Sequence, residues 1–322
     1  MLLGLAPAAS RAETAHPAVD LRSHPEPHTP VAASLYLNDL AAVDDAHQQA
    51  SVDLALRLTW RDPRLAGRFA QPSFLSLDEI WAPRFAIMSD RTLESRLPEK
   101  ALVLPDGTVR YVQRYVGEVA FPTHLADFPF DRQMFELPVL FYMLPDEAAF
   151  SVDRSVPLAG ARFSLPGWTA RAPSVTLARG SMFSPAHTRL VLTLELRRQR
   201  GYYFWTIVLP LALVVVMGMI PFWIEHSIEA RVGLSATSIL TLIAFRFAMS
   251  QMVPPLPYLT RLDAFVLTVT LLVFLALIAV AAVSYLGSRG RTRAAERVDL
   301  VARVSLPVAL VLLGTLSLAP WR

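Results

Sequence analysis

Seven residues in the stretch EARVGLSATSILTLIAFRFAMSQ, positions 229 to 251, recur at helical spacing: Glu229, Gly233, Thr237, Leu240, Ala244, Phe247 and Gln251. Steps of 4, 4, 3, 4, 3 and 4 place them along one face of a helix. That face is polar or small at one end, apolar in the middle and polar again at the other. A face of this kind either meets water inside a membrane or packs closely against neighbouring helices, where small and hydroxyl side chains are also favoured. The stripe alone leaves both readings open. Across the helix lie Val232, Ile239, Leu242 and Phe245, which suit packing against other spans or lipid.

Enzymatic chemistry has no comparable foothold. The chain holds no Gly-rich phosphate loop, no nucleophile elbow and no helix with paired metal ligands. It has no cysteine, which excludes disulfides, thiol chemistry and Cys-based metal sites. Around His124, His187 and His226 no clustered His and carboxylate spacing looks like a dedicated zinc site. The protein is therefore read as a non-enzyme without cofactor, metal or nucleic-acid partner.

The elements that must carry the stripe follow from hydropathy. Of the 322 residues, 53% are hydrophobic. Four apolar runs account for this, at 203–224, about 232–250, 263–286 and 300–319. Each is long enough to cross roughly 30 Å of hydrocarbon. Arg289, Arg291, Arg293 and Arg297 lie between the last two runs and mark the cytoplasmic side, against the opposing pull of Arg197, Arg198 and Arg200. The domain before the spans is then outside. Residues 1–30, opening on an apolar run and small residues and then rich in His-Pro, read as an export-signal remnant or flexible lead-in.

Residues 31–200 alternate with period two, as in SVDLALRLTW, GTVRYVQRYVGEVAF and RLVLTLELRR, and turn signals such as LPDGT, WRDP and SLPGW separate the runs. Many short strands at this spacing predict an immunoglobulin-like β-sandwich. The expected fold is an α+β membrane protein: an extracellular β-sandwich over 31–200, then a four-helix transmembrane bundle over 201–322.

LTWRDPRL (58–65), EIWAPRF (79–85), FPFDRQMF (128–135) and RRQRGYYFWTIVLP (197–210) occur in that order ahead of the spans. Together they resemble the pentameric ligand-gated ion channels, the Cys-loop receptor superfamily, and within it the bacterial branch. Two cysteines of the animal members match Phe121 and Phe135 here, and the segment between the last two spans is short, as in bacterial members. The resemblance implies a homopentamer in a bacterial inner membrane, in contact with lipid, with the second span lining a pore. Each stripe position then becomes a ring, with Thr237 offering hydroxyls to ions and Leu240, Ala244 and Phe247 able to dewet. Five Glu229 carboxylates at the inner end favour monovalent cations. Against this, ARVGL (230–234) resembles anion-selective members, which carry proline in place of Glu229; Arg231 should point off the pore axis. Arg246 also lies off the stripe.

The resemblance further implies that Asp131 and Arg198 meet where the two domains join, above the stiff turn holding Pro254, Pro255 and Pro257. Pro210 matches a family proline that permits a kink in the first span. An aromatic box for an agonist carries over incompletely, to Tyr142, Phe183 and Met88, with Phe141 as ligand-lining or core. The stimulus is an unknown small molecule or protons, which histidine can sense. The competing readings are an anion-selective channel, a non-conducting membrane-anchored β-sandwich sensor and, less naturally, a small transporter.

Overall fold

The computed structural model describes residues 20–89, 91–143, 146–160, 163–180, 187–224, 228–249 and 256–319. The alternating segments form strands whose apolar positions all point one way. In β2 (Gln49–Arg61) these are Ala50, Val52, Leu54, Leu56, Leu58 and Trp60, all buried. A period-two strand has two faces, and burying one of them demands a second sheet.

One sheet runs β3-β6-β7-β2-β1-β9, with β5 (Leu93–Ser95) also paired to β7. Its strands are β1 (Thr29–Asp44), β2, β3 (Ser73–Ser76), β6 (Lys100–Val103), β7 (Thr108–Ala120) and β9 (Ala148–Val152). The other runs β10-β12-β8-β4, with β11 also on β12; its strands are β4 (Phe85–Ile87), β8 (Arg132–Phe141), β10 (Trp168–Ala170), β11 (Ser174–Arg179) and β12 (Thr188–Arg198). Leu35, Leu54, Leu56, Phe121, Phe135, Leu192 and Leu194 are among the fully enclosed core residues between them. Phe121 and Phe135 touch edge to face, with ring centroids 5.5 Å apart. The LPDGT turn relies on Gly107 at φ +82°, where a Cβ would also lie 2.6 Å from the Asp62 carbonyl oxygen.

Among the described residues, four helices long and apolar enough to cross a membrane follow: α1 (Arg200–Phe222), α2 (Ile228–Met249), α3 (Arg261–Ser288) and α4 (Thr292–Leu318). In α1, Phe204–Val208 is a wider π-type turn in which the Leu209 amide reaches the Phe204 carbonyl, immediately before Pro210. That turn is how the helix accommodates a residue with no N–H to give.

One boundary differs from the hydropathy reading. Helix α4 begins at Thr292 rather than near 300, because the polar segment TRAAERVD contains good helix formers that extend the helix beyond its apolar run. The arginine-bearing connection then shrinks to a turn around Gly290 at φ +73°. The chain is also tied down from Asp20 onward, inside the expected lead-in: Arg64 donates to the carbonyls of Asp20 and Ser23, and the Trp81 amide donates to the Leu21 carbonyl.

Candidate pore helix and domain junction

Helix α2 buries one face against the rest of its own chain and leaves the stripe open. Ser235, Ser238 and Leu242 are buried, while Ile239, Phe245 and Met249 pack partly against the bundle core. Glu229, Gly233, Thr237, Leu240, Ala244 and Phe247 are all exposed, Leu240 at 68% and Phe247 at 72%. Gln251 lies outside the described residues. The polar residues of this span thus divide between both readings. Ser235 and Ser238 serve close packing, with Ser238 facing Gly218 of α1. Thr237 belongs to the open face, accompanied by Thr241, which the stripe count missed.

The hydroxyls are tied to the helix itself. Thr237 Oγ1 donates to the Gly233 carbonyl at 2.9 Å and Thr241 Oγ1 to the Thr237 carbonyl at 2.9 Å. With their protons engaged, these oxygens present lone pairs outward. Val232, expected on the packing side, is exposed. Arg246 is exposed and off the stripe. Arg231 points away from the stripe, donating to Asp299 at 3.2 Å and to the Ile224 carbonyl at 3.0 Å.

At the other end of the bundle the sandwich grips the spans. Arg198, closing β12, donates to Asp131 through Nε at 2.8 Å and Nη2 at 3.2 Å. It also holds Asp45, at the turn after β1, through Nη1 at 2.7 Å and Nη2 at 3.0 Å. Asp45 was not picked out from sequence; its only signal was an acidic pair, Asp44–Asp45, at a hairpin tip. The guanidinium is stacked 4.0 Å from the Trp168 ring centroid and 4.8 Å from that of Phe128, and donates to the Tyr203 hydroxyl at 3.1 Å. Burial disfavours its charge, but hydrogen bonds and charge from Asp45 and Asp131 outweigh this and push its pKa above the ordinary arginine value. Gln133 completes the cage, donating to Asp131 at 2.7 Å and to the His124 carbonyl at 2.9 Å.

The loop between β7 and β8 enters the membrane bundle. Leu125 and Phe128 are buried in the same apolar cluster as Ile207, Leu211 and Leu262. Its carbonyls also cap α3: the amides of Arg261 and Leu262 donate to Ala126 and Phe128 at 3.1 and 3.2 Å. The first amides of a helix have no partner within it, so here the sandwich supplies them. Thr260 and Asp263 add a reciprocal capping box, and Arg261 pairs with Asp127 at 2.6 Å. The Tyr258 hydroxyl accepts the Leu125 amide at 3.2 Å while its ring stacks on His124. Pro257 lies exposed beside that tyrosine. Pro254 and Pro255 fall outside the described residues.

The agonist positions fare unevenly. Of the two readings given for Phe141, the structure has the core one: the residue is fully buried and stacked on Phe150 at 3.9 Å. Tyr142, the next residue along, turns outward at 46% exposure and meets the His187 ring edge-on. Met88 is exposed. Phe183 and His226 lie outside the described residues. Tyr142 also borders a cavity of 770 Å³ lined by Trp81, Phe85, Tyr111 and Tyr115, with Asp78 and Glu99 at its wall. Among the described residues no group of His and carboxylates is placed to hold a metal.

Comparison with known proteins accounts for both halves. Residues 14–143 match the neurotransmitter-gated ion-channel ligand binding domain, and residues 207–316 match the neurotransmitter-gated ion-channel transmembrane region. The gamma-aminobutyric acid receptor subunit beta-4 of Gallus gallus is 25% identical over 289 residues, covering 84% of this chain and 58% of that one. The theta subunit of Mus musculus is 26% identical over 273 residues, covering 80% and 42%. A proton-gated ion channel of Gloeobacter violaceus is 25% identical over 294 residues, covering 89% and 81%. The chain therefore spans about half the length of these animal relatives and most of the bacterial one. With a two-sheet sandwich, four apolar helices and a match to each in turn, this multi-pass membrane protein belongs to the neurotransmitter-gated ion-channel family, a family of channels and not of enzymes.

Proposed function

We propose that the chain is one subunit of a homopentameric ligand-gated channel that conducts monovalent cations. The pore is lined by Glu229, Gly233, Thr237, Leu240, Ala244, Phe247 and Gln251. The observation that carries this reading is the division of α2: its stripe is open along every described position while the opposite face is locked into its own bundle. Copies arranged around a common axis enclose such a face around water. Glu229 is exposed at the inner end and Arg231 is turned away and paired, which leaves a carboxylate as the charge nearest the path. Such a ring raises the local cation concentration.

Gating in this reading passes through the junction. Movement of the sandwich pulls on the Arg198 cage and on the carbonyls capping α3, and the turn holding Pro254 and Pro257 carries it to α2. The stimulus is a small molecule near Tyr142, Met88 and Phe183, or protons, as the name of the Gloeobacter relative suggests. We place the channel in a bacterial inner membrane with the sandwich outside the cytoplasm, on the short α3–α4 connection and the arginines around it. An anion-selective channel is the second reading, favoured by the ARVGL stretch.

The test is current through purified protein in planar bilayers under a KCl gradient. A reversal potential near the potassium value, weakened in Glu229→Ala, is the expected result. A wild-type value near chloride would replace the cation reading with the anion one. Absence of current across pH and common amines would favour the non-conducting sensor.

A further inference from the structure

The inner end of α2 is held from behind by a charge knot that spans three elements. Arg231, in the first turn of α2, donates to Asp299 of α4 at 3.2 Å. Asp299 also accepts from Arg303 at 3.0 Å, one helical turn along α4. Arg303 in turn donates to the Phe222 carbonyl at the end of α1 and lies over the Trp223 ring at 5.2 Å. Asp299 is largely buried, with 15% of its side chain exposed, and Arg231 has 18%. A single carboxylate thus answers two arginines, one of them two residues from Glu229.

We propose that Asp299, which lies on the fourth span and outside the stripe, is a positioning residue that sets the charge presented at the stripe's inner end. It does so by drawing Arg231 to the back of α2 and offsetting part of the positive charge there, so that the field of Glu229 is opposed by one net positive charge rather than two. The inference rests on the pore reading of the stripe. The arithmetic of the knot is simple: two arginines and one aspartate carry a net charge of +1. Asp299→Asn raises that to +2 beside each Glu229, Arg231→Gln lowers it to 0, and the two together restore +1. A purely structural role for Asp299 predicts no such ordering.

The chain lacks cysteine, which makes a direct probe of this field available. Gly233→Cys puts one thiol on the stripe, where a Cβ meets nothing within 4 Å. Its modification rates by a cationic and an anionic methanethiosulfonate reagent are measured by mass on the full-length protein in nanodiscs, which needs no agonist. Asp299→Asn should lower the cationic-to-anionic rate ratio by about sevenfold, since one unit charge roughly 7 Å away at the dielectric constant of water changes the two reagents' rates by about 2.7-fold each, in opposite directions. Arg231→Gln with Asp299→Asn should return the ratio to that of the parent, and Arg231→Gln alone should raise it. An unchanged ratio in Asp299→Asn, or a double variant that stays as low as the single, overturns the proposal. If Asp299→Asn does not assemble, the double variant still decides. A parent-like ratio supports the proposal, and a lowered one overturns it. A parent ratio below that of the same two reagents on a free thiol in solution would count against the cation reading, while the ordering of the variants would still decide the proposal.

Discussion

Replacing Arg198 with methionine keeps the length and apolar stem of the side chain and removes its fork. The side chains of Arg198, Asp131 and Asp45 are 2%, 1% and 11% exposed, so the change strands two carboxylates away from water. Breaking a buried ion pair from one side costs about 3–5 kcal/mol, and about 4 kcal/mol is expected here. Asp131→Asn is milder, at about 2 kcal/mol, because Arg198 keeps both bonds to Asp45 and loses only charge-assisted bonds to one partner. The double variant should cost about 4 rather than 6 kcal/mol, since removing Asp131's charge relieves part of the damage, giving a coupling of about 2 kcal/mol. Thermal unfolding of the sandwich is followed by the loss of its strand signal in circular dichroism. For a sandwich of this size each kcal/mol moves Tm by about 2–4 °C, so Arg198→Met should lower it by about 8–16 °C. Arg154→Met, on the exposed surface, is the control. Additive variants, or a loss no larger than the control's, would refute the view that this cage is a desolvated, mutually dependent unit.

Leu240→Ala should ease opening, because each copy withdraws three carbons from an exposed position on the stripe and lowers the cost of wetting. Unchanged or reduced open probability in bilayers would remove Leu240 from the gate. Acid should weaken the sandwich through Asp53, whose pKa is lowered from 3.8 chiefly by hydrogen bonds from Arg114, with a smaller bond from Asn38. A depressed folded-state pKa means the stabilisation is complete above the unfolded value and lost as pH falls through the folded one. Tm should therefore decline below about pH 4, and less steeply in Arg114→Gln; superimposable profiles of Tm against pH would show that this pair contributes nothing. Its size is limited because the Arg114 side chain is half exposed.

Much of this was legible in the residues before any fold was known, and the reasons are local. Alternation along 51–60 and 107–121 makes strands because successive side chains point to opposite faces, and it needs no knowledge of the partner sheet. Apolar runs of about twenty residues make spans because a helix satisfies its own backbone in lipid. The stripe on α2 emerged from spacing alone, and motifs in order around 58–65, 79–85, 128–135 and 197–210 carried the pairing of Asp131 with Arg198. What remained hidden depends on residues far apart in the chain. Asp45 joins the cage across 153 positions and Asp299 reaches Arg231 across 68. The Phe141–Tyr142 pair shows the same divide. Alternation requires neighbours to face opposite ways, yet only the packing of Phe150 from the other sheet decides that Phe141 is the inner one. Likewise no local pattern foretells that Leu125 and Phe128 plug the bundle while their loop caps α3. Sequence by itself determined which elements form and which face of α2 is distinct, because those are matters of period. The tertiary structure decided which charges meet and which loop grips which helix end, because burial and partnership exist only once distant segments have been brought together.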